Sequence, residues 1–170
     1  MPGTLTGVVG IDSMVIVESD SYPIDGPYLW YLRLLGRSEG LPVTVAGPSP
    51  AVTGRPVLVG HGTASRSASV AVELGLPVVY ISPRLDEPDV AAALAALRAP
   101  GFVAGAISDP HWDRVVAARL NPMEVLQLPT GDERLEVEAD PLASLEVVVR
   151  VIERCRSLLR RLHRDGQIVR

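Results

Sequence analysis

The chain has 170 residues and a mass of 18.1 kDa, the size of one ordinary α/β domain, and residues 1–170 are expected to form one. Hydrophobic residues make up 47% and charged residues 21%, which excludes a disordered chain and predicts a large core. The net charge of −4 argues against nucleic acid as a partner, and all 16 basic residues are arginine, which excludes lysine-dependent Schiff-base chemistry and a phosphate-loop lysine.

Apolar stretches are interrupted before the roughly 18 residues a membrane span needs, and the N-terminus lacks a basic-then-apolar signal pattern. A soluble, cytoplasmic protein without membrane contact is expected. The single Cys155 excludes an internal disulfide and a multi-cysteine zinc site, and is predicted to be a small core residue. His61, His111 and His163 show no paired spacing, so no metal is expected, nor any cofactor. The expected partner is a small-molecule ligand or substrate, and self-association to a homo-oligomer is left open.

In chain order, β-branched runs at Met14–Val17, Val43–Ala46, Val57–Val59, Val78–Ile81, Phe102–Ala104 and Val125–Leu128 predict six strands. Their continuous apolar character suits strands covered on both faces, as in a parallel sheet. Between them, Pro27–Arg37, Ala64–Leu74, Pro88–Arg98 and His111–Leu120 read as helices. The alternation predicts a single doubly wound, mostly parallel α/β sheet. A last helix, Pro141–Arg164, repeats Leu145, Val148, Val149, Ile152, Cys155, Leu159 and Leu162 at steps of three or four, and this stripe is expected to pack on the sheet. Seven arginines lie from Arg150 onward; near a helix C-terminus they complement the dipole and solvate the outer face.

Ligands of such sheets lie beyond the C-terminal strand ends. After the third run comes Val59-Gly60-His61-Gly62-Thr63-Ala64-Ser65, which resembles the nucleophile elbow of an α/β-hydrolase, with Gly62 where that family carries its serine. Gly75 to Pro83 is similar to the sixth-strand region of small, lid-less bacterial members. Gly105 to Asp113 resembles their seventh-strand loop, with Asp109 in the place of the triad acid. Leu128 to Glu136 resembles the eighth-strand loop, with Glu133 in the place of the triad histidine. The acidic stretch Glu18 to Pro23 stands where a glycine-rich oxyanion loop is usual. The resemblance spans about residues 15–162 and implies an α/β-hydrolase-like sheet of order 2-1-3-4-5-6.

A serine hydrolase needs an oxygen nucleophile, an imidazole and an orienting carboxylate. Of these, the resemblance leaves Asp109 alone, so it implies no esterase activity. It points to non-hydrolytic acid–base chemistry on a small, largely apolar metabolite, such as cyclisation, isomerisation or elimination, or alternatively to an inactive binding module. The catalytic candidates are Asp109, Glu133, His111 and His61. Ser19, Tyr22, Gly62, Thr63 and Trp112 are expected to contact the ligand. Each has a plainer role: His61 in the core, Asp109 as a helix cap, His111 at the start of a helix, and Glu133 in a solvated turn. If Asp109 and Glu133 share one pocket, their coupling raises the pKa of one of them.

Overall fold

The central valine- and isoleucine-rich segments leave no polar side to face water and become strands between two helical layers, whereas the edge segments 43–46 and 124–128 stay partly exposed. The structure, a computed structural model, describes residues 10–19, 26–47, 51–118, 120 and 123–168, and of 164–168 the backbone only. The strands are β1 (Ser13–Val17), β2 (Val43–Ala46), β3 (Pro56–His61), β4 (Val78–Ile81), β5 (Gly101–Ala106) and β6 (Glu124–Leu128). The helices are α1 (Pro27–Ser38), α2 (Ser65–Leu74), α3 (Pro88–Ala96), α4 (Trp112–Ala118) and α5 (Pro141–Ile168). The helical ends follow local chemistry: Pro27 and Pro88 open α1 and α3, where a missing N–H costs nothing, and left-handed Gly75 closes α2 at φ +67°.

The strands form one sheet in the order β2-β1-β3-β4-β5-β6, and every neighbouring pair is parallel. This is the order that the sequence resemblance implies. Alternate strand residues feed two cores, as a period of two demands. Val57 and Val59 join Met14, Leu32 and Val151 under α1 and α5, whereas Leu58 joins Ala68, Leu94 and Trp112 under α2, α3 and α4. The strand order reverses between β1 and β3, so the topological switch point of the sheet lies at Val17–Ser19 and His61–Thr63.

Helix α5 corrects the expected stripe. Its buried line runs through Val147, Val148, Val151, Cys155, Leu158, Leu159 and Leu162, while Leu145 and Val149 are exposed and Ile152 is half-buried. Overlapping apolar positions offered two stripes, and the core took the one that meets α1. The second stripe, with Leu142, faces outward, and Trp30 and Leu34 of α1 are exposed as well.

Three arginines of α5 make ion pairs within the chain. Arg154 and Arg161 grip the Glu124 carboxylate at 2.9 and 2.8 Å, and Arg160 meets Glu39 at 3.0 Å. The hydrogen bond from Arg161, with that from Arg154, holds Glu124 below the usual carboxylate range. Cys155 is fully buried and its thiol is pushed up to about 12, so it packs as a hydrophobe, as expected. Among the described residues no helix is long and apolar enough to cross a membrane, and no group of His, Cys, Asp and Glu could hold a metal ion.

Candidate functional site

Strand β3 runs on through His61 and turns at Gly62, whose φ of +59° lies in the left-handed region where glycine is nearly free of steric cost. The turn is clamped to β4: Gly62 N–H donates to the Ile81 carbonyl at 2.9 Å, and the Gly62 carbonyl accepts from Tyr80 Oη at 2.8 Å and from Arg84 N–H at 3.2 Å. Gly60 admits the close approach of α2, since a Cβ there would meet Ser67 Oγ at 2.0 Å. Thr63 is exposed at the rim. Ser82, at φ +48°, is buried next to this turn, and its hydroxyl has no hydrogen-bond partner among the described residues. Strain and an unsatisfied hydroxyl together mark the β4 end as a place the surrounding structure holds under constraint.

His61 lies 3% exposed at the switch point of the sheet. Its Nδ1 is hydrogen bonded to the phenol of Tyr28, its ring stacks on the Tyr28 ring, and its carbonyl accepts from Ser19 Oγ at 2.9 Å. Burial, reinforced by the positive charge of Arg134, lowers its pKa to about 3 against the raising effects of a Glu133 backbone hydrogen bond and the Asp132 charge. An imidazole so reluctant to take a proton is a poor general base at neutral pH. Its contacts make it a peg that joins α1, the β1 end and the β6–α5 loop.

Asp109 is 5% exposed and one of its oxygens accepts the N–H of His111 at 3.0 Å, while its carbonyl accepts the N–H of Trp112 at 2.9 Å. It therefore starts α4. Trp112, expected at the ligand, is buried in the core. Its indole N–H donates to Gln127 Oε1 at 3.0 Å, and its ring lies where a Cβ on Gly105 would come within 2.5 Å. His111 is half-buried, with Nδ1 3.4 Å from Asp86. Arg84 holds Asp86 through two hydrogen bonds of 2.9 and 2.8 Å, and these, more than the nearby His111, lower the Asp86 pKa to about 2. Arg84, Asp86 and His111 thus form a polar cluster after β4 and β5, joined to the turn by Arg84 N–H.

Glu133 presents an exposed side chain on the β6–α5 loop. Its loop touches that of Asp109 through Ser108 Oγ, which donates to the Gly131 carbonyl at 2.6 Å. The two loops are thereby brought together, but no hydrogen bond links the Asp109 and Glu133 carboxylates. Tyr22 lies outside the described residues. Sequence reasoning passed over Tyr28, Arg84 and Asp86. The last two follow a strand end at a spacing of two, and the rule that ligands gather beyond strand ends pointed to them.

The same loop walls a cavity of about 800 Å³ between Pro27 and Tyr31 of α1 and Leu145 and Val148 of α5. A hollow of about 240 Å³ shares Tyr31, Leu145 and Val148 with it and follows α5 towards Arg156. Its volume lies in the range of small-molecule sites, and the floor combines Leu135 and Val137 with those apolar side chains.

Three solved structures share this fold. An α/β serine hydrolase homologue from Coxiella burnetii matches with a TM-score of 0.63 at 12% identity, over 85% of this chain and 86% of that one. Est1E from Butyrivibrio proteoclasticus matches with a TM-score of 0.65 at 9% identity, over 92% and 91%. The esterase domain of a Rhodothermus marinus protein matches with a TM-score of 0.57 at 12% identity, over 89% and 88%. No protein-family model matches the sequence, and no curated protein is found similar to it.

Proposed function

We propose that this α/β-hydrolase fold serves binding, without serine-hydrolase chemistry, and holds a small, largely apolar ligand in the cavity between α1, α5 and the β6–α5 loop. The observation that carries this is Gly62: the strand-to-helix turn keeps its left-handed backbone yet presents no side chain. A triad needs a nucleophile there, and no tuning of neighbours supplies one. The other members are missing or otherwise occupied. By the sequence resemblance Glu133 takes the imidazole's place, while His61 is buried against Tyr28 and Asp109 caps α4. Apart from that turn, the β6–α5 loop with the facing sides of α1 and α5 leaves a cavity of ligand size.

One observation favours a second reading, non-hydrolytic acid–base turnover. His111 faces Asp86, a carboxylate held ionised by Arg84, at the rim beside Gly62. A carboxylate-oriented imidazole is suited to proton transfer. In that reading Asp109 and Glu133 assist from their touching loops, and the reaction is a cyclisation, isomerisation or elimination.

Amide NMR during a screen of small apolar fragments separates the two. Binding in the cavity shifts Leu135, Val137, Leu145 and Val148, the expected result. Shifts confined to Thr63, Arg84, Asp86 and His111 overturn the binding-cavity reading and favour the second. In that case turnover of the bound fragment should be lost in His111→Ala.

A further inference from the structure

The cavity's rim has a sign. Among its lining residues are four carboxylates, Asp132, Glu136, Glu138 and Asp140, against one guanidinium, Arg134. Asp132 and Asp140 spend an oxygen on their own loop: Asp132 Oδ1 accepts from Arg134 N–H and Glu136 N–H, and Asp140 Oδ1 accepts from Ala143 N–H. The exposed carboxylates of Glu136 and Glu138 have no hydrogen-bond or ion-pair partner among the described residues, and they border an apolar floor.

We propose that the groove between α1 and α5 takes a small organic cation with an apolar body, such as an arylalkylamine. This deepens the binding reading above and rests on it. The apolar part lies on Tyr31, Leu145 and Val148, where water is released from the floor. The ammonium sits at the Glu136 and Glu138 rim. An anionic ligand of the same shape meets repulsion there, so the rim selects by sign more than by shape. Leu142 and Trp30 do not line the groove and are not needed for it.

The test uses phenylbutylamine, phenylbutanol and phenylbutyrate, which share an apolar body and differ in charge, titrated at neutral pH and low salt with amide shifts as readout. The amine should shift Val137, Leu145 and Val148 and bind about tenfold more tightly than the carboxylate, with the alcohol between them. Added salt should narrow the gap. The Glu136→Gln/Glu138→Gln double variant changes exposed side chains only, so the fold stays. It should bring the amine to the level of the alcohol and leave the alcohol unchanged. Equal binding of all three in the groove overturns the cation proposal and leaves the binding reading standing. If none shifts the groove, the binding reading itself fails. Groove shifts that follow protein concentration alone show a second copy covering this face, and that also overturns the proposal.

Discussion

The Tyr28 phenol and His61 Nδ1 are hydrogen bonded between the first turn of α1 and the last residue of β3, and their rings stack. The bond uses the imidazole nearest the strand-to-helix turn for structure. A neutral, buried ring of this kind makes the fold sensitive to acid in a defined window.

The folded His61 pKa of about 3 lies below its ordinary value of 6.5. The unfolded chain therefore binds a proton that the folded one refuses, and the stabilisation is complete above 6.5 and is lost as pH falls towards 3. Denaturant titrations should show about 2–3 kcal/mol less stability at pH 4.5 than at pH 7. His61→Gln, which cannot titrate, should lose clearly less over the same interval. Parallel losses in both proteins mean that His61 is not the acid-sensitive group.

Gly62 supplies a second expectation. At φ +59° any other residue pays a steric cost, about 1–2 kcal/mol for an ordinary side chain and more for a β-branched one. Gly62→Ser should fold with a modest drop in melting temperature and Gly62→Val with a larger one. The serine variant should still leave esters intact, because the His61 imidazole preceding the turn is buried and bonded to Tyr28. Equal melting temperatures speak against a left-handed turn.

Asp109 distinguishes a cap from a catalytic charge. Its oxygen accepts the His111 N–H, so Asp109→Asn keeps an acceptor, and Asp109→Ala loses one at a cost of about 1 kcal/mol. Thermal unfolding should rank wild type and Asn together above Ala. A loss in Asn as large as in Ala assigns the negative charge itself a structural role, through Arg84 nearby.

The strands were legible because unbroken valine and isoleucine runs have one common use, a sheet covered on both faces, and the strand order followed the resemblance. The left-handed turn at Gly62 and the helix start at Asp109 were legible, because loop motifs mark their positions. Tyr28 with His61, and Asp86 with His111, were not, because each pair is joined by folding across separate elements and leaves no spacing in the sequence. The two stripes of α5 show a related limit. Periodicity placed Val148, Cys155, Leu159 and Leu162 on the buried line, but it could not tell that Leu145 and Val149 face outward, since apolar residues cover more than half the helix circumference there. That same excess forms the wall of the proposed groove.

The most direct test of the central claim is incubation of the wild-type protein with a fluorophosphonate probe and with nitrophenyl esters of short acyl chains. A fold without an oxygen nucleophile at residue 62 predicts no probe adduct by intact mass and no ester turnover above buffer. Stoichiometric labelling of one serine, with turnover abolished by its replacement with alanine, would contradict the account and return this chain to the serine hydrolases.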